Sequence, residues 1–335
     1  MPGDVAVIGS GSWGTTLAKV LADNGHETLL WTRREELARE INEKHENSVY
    51  LSGIRLPDRV VATTDLRLAC RCPFILLVVP SHGFREIARD IGEHVNGEQI
   101  IVHATKGIEQ SSYKRMSQVL REETPVRKIG VISGPNLARE LGARQPTGTL
   151  IASRYAEVFQ EGYERLHNDY FRVYYGKDVI GAEVGGAFKN IVALAAGVVA
   201  GLGLGDNSRS LLLTRGLSEM ARLGVAMGGD VMTFGGMAGI GDLIATCSSP
   251  LSRNHQVGAR LAKGEKLEDI QREMRMVAEG VKTTKAVFEL AEERRLDLPI
   301  VRAVYHLLYQ HHEVPALLKE LMAIPGGMEF AALTV

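Results

Sequence analysis

The stretch VAVIGSGSWGTTLAKVLADNG, residues 5–25, decides how this chain is read. Val5 to Ile8 is a wholly apolar run of strand length, and from Thr15 to Ala22 the apolar Leu17, Val20 and Leu21 recur at helical spacing before Asn24-Gly25, a helix stop. Between the two runs Gly9, Gly11 and Gly14 form GxGxxG. Each glycine has a physical reason there: the first permits the tight turn, the second lets a pyrophosphate approach the backbone, and the third lets the helix pack closely. The unpaired N–H groups of the helix start favour an anion. A strand-like run at Thr28 to Trp31 completes a strand–helix–strand unit, so the stretch predicts a dinucleotide site rather than a plain glycine turn.

Outward from this unit the first half keeps alternating apolar runs with amphipathic segments, the pattern of a parallel sheet wrapped by helices. Further strands are expected at Phe74 to Val79, Gln99 to Ala104 and Lys128 to Ile132, with Gly148 to Ala152 and Arg172 to Tyr175 extending the sheet. Near Val179 the character changes. Helices are expected at Gly185 to Val199, Ser210 to Leu223, Asn254 to Ala262, Thr283 to Arg294 and Val301 to Tyr309, and strand-like alternation almost disappears. The fold class is therefore an α/β, Rossmann-like dinucleotide-binding domain over residues 1–178, followed by an all-α substrate domain over residues 179–335. No fixed-period repeat or low-complexity tract interrupts it.

The 335 residues suffice for two domains of about 150 residues each. A net charge of -1 gives no general reason to bind nucleic acid or an anionic membrane. The opening MPGDVAVIGSG lacks a basic segment, a long apolar core and a small-residue cleavage site, so no secretory signal is expected. Cys70, Cys72 and Cys247 fit neither an even disulfide framework nor a CxxC pattern and read as free thiols of a reducing, cytoplasmic compartment. The stretch from Val179 to Leu204 is long enough to span a bilayer, but Glu183, Lys189 and several glycines interrupt it, and a buried soluble helix is the expectation.

Three clusters suggest chemistry. At the end of the second strand, where NAD-selective sites often place an acidic residue, the chain has Thr32-Arg33-Arg34. Guanidinium groups suit a 2′-phosphate, so NADP is favoured over NAD; the alternative is two solvated arginines paired with Glu35 and Glu36. Lys189 is the one cation in GAEVGGAFKNIVALAAGVVAG, and burial would lower its pKa toward the range useful for acid-base work. A lysine reaching solvent from a helix end fits the segment equally. Asn190 beside it and Asp242 in GIGDLIATC are candidate partners, Asp242 as the carboxylate that holds an ammonium. Ser252, Arg253 and Asn254 precede a predicted helix and form a set suited to a phosphate monoester, or else a plain capping turn.

GSGSWGTTLA at Gly9 to Ala18, Lys106-Gly107, GPNLARE at Gly134 to Glu140 and EVGGAFKNIVALAAG at Glu183 to Gly197 are joined by TRGLSEMARLG at Thr214 to Gly224, GDLIATCSSPLSRN at Gly241 to Asn254 and AEGVKTT at Ala278 to Thr284. In this order and spread the chain resembles the bacterial NAD(P)-dependent glycerol-3-phosphate dehydrogenases. The resemblance implies reduction of dihydroxyacetone phosphate to sn-glycerol 3-phosphate for glycerophospholipid synthesis, with Lys189 as proton donor or acceptor. It implies a substrate pocket of Lys106, Gly134, Asn136, Lys189, Asp242, Ser252, Arg253 and Asn254. Cofactor contacts are implied at Gly9, Gly11, Ser12, Trp13, Gly14, Arg33, Arg34, Lys106, Ala138, Arg253, Val277 and Glu279. Asn136 stands where the family usually has serine. A homodimer and no metal are also implied. The competing readings are a β-hydroxyacid dehydrogenase, whose substrate is a carboxylate, and a non-catalytic NAD(P)H sensor, which calls for a DNA-binding or partner module that the sequence does not display.

Overall fold

The computed structural model describes residues 3–250, 252–274 and 278–326. The chain forms two compact units, Met1–Thr105 with Met116–Val179, and Lys106–Arg115 with Ile180–Val335. Pattern alone leaves residues 106–115 in the first domain; the contacts put them in the second, where Ile108 joins the core. Periodicity cannot say which core a single apolar residue enters.

The first unit is built on one sheet of eight strands: β1 (Val5–Ile8), β2 (Thr28–Trp31), β3 (Val60–Thr63), β4 (Phe74–Leu77), β5 (Ile100–His103), β6 (Lys128–Ser133), β7 (Thr147–Ser153) and β8 (Phe171–Gly176), in the order β3-β2-β1-β4-β5-β6-β7-β8. Alternate residues serve opposite faces: Val5, Val7, Leu30, Leu76 and Val102 enter one core, while Ala6, Ile8, Leu29, Leu77 and Ile101 enter the other. That double burial is why the strands read as continuous apolar runs. Edge strand β3 was not expected, because it is four residues long and only alternately buried. The pairing departs from an all-parallel sheet at one place, where β7 runs antiparallel to β6. The only helix between those strands, Ala138–Gly142, has five residues and is too short to carry the chain back along the sheet. The strand order reverses direction at β1, so Gly9 and the following helix α1 (Ser12–Asp23) sit at the switch point between β1 and β4, where open α/β sheets bind ligands.

The second unit is helical and centred on Val179–Gly201, whose Phe188, Ile191, Val192 and Leu194 are core residues. This helix is apolar on every side because it is enclosed on every side from Gly181 to Leu194, with only its last turn opening to solvent. By length and composition it could cross a membrane, yet 72% of its most apolar window is buried inside the protein. Both charges in it are paired, Glu183 with Arg115 and Lys189 with Asp242. It ends in a left-handed turn at Gly203 (φ 70°), where the N–H of Leu204 bonds back to the carbonyl of Val199.

Its glycines have a packing reason. A Cβ on Gly197 would lie 2.0 Å from the carbonyl oxygen of His255, and one on Gly258 would lie 1.9 Å from that of Leu194. The helices Val179–Gly201 and Arg253–Leu261 therefore touch backbone to backbone, which only glycine allows. Gly258→Ala forces them apart and is expected to destabilise the protein by about 1–3 kcal/mol, the usual range for overpacking. Gly205→Ala, at a position with no heavy atom within 4 Å of a new Cβ, is the control. Thermal melting checks this; equal midpoints for the two variants refute the close-packing account.

Candidate active site

In the first unit the candidate site is the turn between β1 and α1. Gly9 has φ 121°, and a Cβ there would meet the Val78 carbonyl oxygen at 2.1 Å. A Cβ on Gly14 would meet the Gly9 carbonyl oxygen at 1.8 Å. Gly11 differs: nothing lies within 4 Å of its Cβ position. The outer two glycines are thus required by the protein's own packing, whereas the middle one leaves open space beside the backbone. Gly11 also caps α1 without a side-chain hydrogen bond, so the first N–H groups of the helix, from Ser12 onward, remain available to an anion. This cradle fits the pyrophosphate of a dinucleotide.

Around it, the Ser12 hydroxyl donates to the Tyr50 carbonyl at 2.6 Å, and Trp13 packs edge-on against Phe171 with ring centroids 6.5 Å apart. The Thr16 hydroxyl donates to the Ala138 carbonyl at 3.0 Å, joining α1 to the GPNLARE segment. Arg33 is exposed and faces Glu86 at 3.6 Å; Arg34 lies over the Tyr50 ring, 5.2 Å from its centroid. Neither pairs with Glu35 or Glu36 among the contacts of the described residues, so the ion pairs expected of a plain solvated helix start are not made.

The helical unit, for its part, holds a buried charge cluster. The π-helical turn Met237–Gly241 presses on the helix Val179–Gly201 at Gly185, where a Cβ would lie 2.2 Å from the Ala238 carbonyl oxygen. Lys189 stands one helical turn beyond Gly185 on the same face, and Asp242 opens the next helix, Asp242–Ser248. The close approach therefore brings the two side chains together. Lys189 donates to Asp242 Oδ1 and, at 2.9 Å, to the Thr246 hydroxyl; Lys106 donates to Asp242 Oδ2 at 2.5 Å. Asp242 is 1% exposed, Lys189 7%. Lys106 is more open, its side chain retaining 20% exposure.

One carboxylate between two ammonium groups cannot neutralise both. Burial is the largest influence on Lys189 and lowers its pKa; Asp242 opposes, Lys106 adds to the lowering, and the result is about 7. Burial alone would raise the Asp242 carboxyl, but the two lysines outweigh it and hold it below its ordinary value. The arrangement sets a buried amine that titrates near neutral pH beside a carboxylate favoured in its charged form.

In the Ser252-Arg253-Asn254 segment two residues have defined partners within the protein. Ser252 caps the helix Arg253–Leu261, accepting from the N–H of His255 at 3.4 Å. Asn254 is buried; its Nδ2 donates to Asn190 Oδ1 at 3.0 Å and its Oδ1 accepts from the Gly280 N–H at 2.9 Å. Asn190 is thus engaged by Asn254, not by Lys189. Arg253 keeps exposed surface, yet partial burial of its guanidinium lowers its pKa, against the opposing charge of Glu279. Asn136 is tied down in the first unit, donating to the Gly148 carbonyl and accepting from the Thr149 hydroxyl, both at 2.9 Å. Gly134, with φ 152°, has a conformation that excludes other residues. Val277 lies outside the described residues. Thr246 was missed on sequence although it stands four residues after Asp242, the spacing of one helix face. Lys106 was found only by resemblance, although a residue just past the carboxyl end of β5 is where such folds place functional groups.

The N-terminal family of NAD-dependent glycerol-3-phosphate dehydrogenase matches residues 4–158 and the C-terminal family matches residues 178–319. A Glycerol-3-phosphate dehydrogenase [NAD(P)+] of Bacillus thuringiensis is 48% identical over 322 residues, 95% of each chain. Among solved structures, a glycerol-3-phosphate dehydrogenase of Coxiella burnetii superimposes with a TM-score of 0.92 at 36% identity, over 95% of this chain and 98% of that one. That of Saccharomyces cerevisiae does so with a TM-score of 0.84 at 31% identity, over 95% and 99%. With a switch-point dinucleotide cradle, a buried lysine–carboxylate cluster and these relatives spanning its length, the chain belongs to the NAD-dependent glycerol-3-phosphate dehydrogenase family.

Proposed function

We propose that this enzyme reduces dihydroxyacetone phosphate to sn-glycerol 3-phosphate, and catalyses the reverse, with Lys189 as the acid-base residue. The observation that carries the assignment is the buried Lys189–Asp242–Lys106 cluster. NAD(P)H, held at the Gly9–Gly14 cradle, supplies the hydride. The chain supplies the proton and the orientation. Lys189 hydrogen-bonds the C2 carbonyl oxygen and gives it a proton as negative charge develops there; Asp242 and Thr246 fix the ammonium in direction. Lys106 keeps Lys189 acidic enough to release that proton and reaches toward substrate from the same carboxylate. Arg253 and the N–H groups at the start of its helix attract the phosphate, whose binding orients the reacting carbon. The product enters glycerophospholipid synthesis. The three buried free thiols agree with a cytoplasmic setting; a homodimer is what membership of the family implies.

The pKa near 7 has a signed consequence. Reduction needs Lys189 protonated, so its rate falls as pH rises through about 7; oxidation of glycerol 3-phosphate needs the neutral amine and rises through the same range. Opposite pH profiles with one shared midpoint are expected. A reduction rate that is flat from pH 6 to 9 refutes the role of Lys189.

Lys189→Met keeps length and apolar character and leaves Asp242 paired one-to-one with Lys106, so the fold is expected to persist. Hydride transfer in a single turnover is expected to drop by about 10²- to 10⁴-fold, the usual contribution of general acid catalysis, while NADPH affinity stays near normal. Hydride transfer at the normal rate in a folded variant overturns the assignment.

We assign NADP as the preferred cofactor, supported by two arginines at the end of β2 with no acidic residue in their place. Neutralising both Arg33 and Arg34 is expected to raise the KM for NADPH roughly tenfold or more, and that for NADH little. Equal effects on the two cofactors end the claim.

A further inference from the structure

The residues Lys106–Arg115 follow β5 in sequence yet belong to the helical unit. They form a small hairpin. Ile108 and Arg115 bridge as antiparallel partners, the N–H of Glu109 donates to the Lys114 carbonyl at 3.0 Å, and that of Tyr113 to the Glu109 carbonyl at 2.9 Å. Besides Lys106 and the buried Ile108, three side-chain hydrogen bonds among the described contacts hold the hairpin to the unit. Gln110 Nε2 donates to the Lys282 carbonyl at 3.2 Å, and the Tyr113 hydroxyl to Glu289 at 3.3 Å. The third is the most enclosed: Arg115 donates to Glu183, the two side chains being 12% and 3% exposed.

This third attachment has a particular geometry. Glu183 and Lys189 belong to one rigid helix, six residues or about 9 Å apart along the axis. Arg115 faces Ile108 across the hairpin bridge, two residues from Lys106. The anchor and the lysine it steadies are therefore linked through one helix on one side and one hydrogen-bonded hairpin on the other. Lysine has a long side chain with much rotamer entropy, and holding its ammonium at Asp242 requires that its backbone be fixed.

We propose that the Arg115–Glu183 pair is a positioning device for the reaction, fixing the hairpin so that Lys106 stays on Asp242 and thereby setting the acidity of Lys189. The proposal rests on the acid-base role given to Lys189 above. The charged and titratable groups acting on Lys189 are Asp242 from the helix Asp242–Ser248, Lys106 from the hairpin, and Cys247, whose thiol burial pushes up to about 12 and so keeps neutral. Of these only Lys106 stands outside the helices, on a hairpin whose bridge partner Arg115 is tied to Glu183. If it withdraws, Lys189 loses a like charge and keeps its carboxylate, so it becomes a weaker acid.

The test compares three variants with the wild-type protein. Arg115→Met/Glu183→Gln removes both charges, so that no carboxylate is left buried alone; Arg115→Lys keeps the charge; Gln110→Ala/Tyr113→Phe loosens the same hairpin at its outer attachments. Two readouts are taken across pH 5 to 10: the rate of dihydroxyacetone phosphate reduction, and the modification rate of Lys189 by an amine-acylating reagent, measured by peptide mass spectrometry. In Arg115→Met/Glu183→Gln both midpoints are expected to rise by about one unit, in Gln110→Ala/Tyr113→Phe by less in the same direction, and in Arg115→Lys hardly at all. Lower melting temperatures with unmoved midpoints would make the pair merely structural and overturn the proposal. If Arg115→Met/Glu183→Gln does not fold, an unmoved midpoint in Gln110→Ala/Tyr113→Phe overturns it equally. Should the wild-type protein show no reduction of dihydroxyacetone phosphate, the assigned reaction fails, while the acylation midpoints still decide whether the hairpin sets the acidity of Lys189.

Discussion

A single buried carboxylate bearing two ammonium groups is the constraint around which the helical unit is arranged. Asp242 has two oxygens and gives one to Lys189 and the other to Lys106. Taking charges out of water is costly, and an ion pair repays that cost only when geometry and hydrogen bonding are both good. Here the count is uneven, two cations to one anion, so the cluster carries an excess positive charge in a place that disfavours it. The lysine with less access to water yields its proton more readily. That is Lys189, and the same imbalance that strains the cluster makes the residue an acid near neutral pH.

Bringing the three charges together depends on groups with no chemistry of their own. Gly185 admits the Met237–Gly241 turn against the central helix, and Gly197 and Gly258 admit the helix Arg253–Leu261. A methyl group at any of them collides with a carbonyl oxygen. The second of these contacts also puts Asn254 within reach of Asn190 and of the Gly280 N–H, a chain of amides tying three helices together beside Lys189. Asn254 is thereby held through both atoms of its side-chain amide, next to Arg253 at the start of the same helix.

The dinucleotide unit shows the opposite economy. Its glycines act through local geometry: Gly9 and Gly14 are forced by neighbours within the turn, and Gly11 is glycine because the space beside it is left open. The surrounding contacts, from Ser12 to Tyr50 and from Thr16 to Ala138, fix the turn against later segments. Asn136 does likewise: its amide and carbonyl bind β7 at Gly148 and Thr149.

The sequence by itself determined the local elements and the cofactor class, because a strand, a glycine turn and a helix are each encoded within about twenty residues by periods of 2.0 and 3.6 and by glycine stereochemistry. It also marked Lys189 and Asp242 as candidates by residue type. Tertiary structure decided their meeting, since 53 residues separate them and no periodicity records a contact of that range. It decided that β7 turns antiparallel, that β3 exists as an edge strand, and that residues 106–115 join the helical unit. It also decided the surroundings of Ser252 and Lys189. Ser252 is a cap and Lys189 is buried, because a hydroxyl before a helix or a lysine in an apolar run has the same sequence signature in either role, and only the neighbours supplied by folding distinguish them.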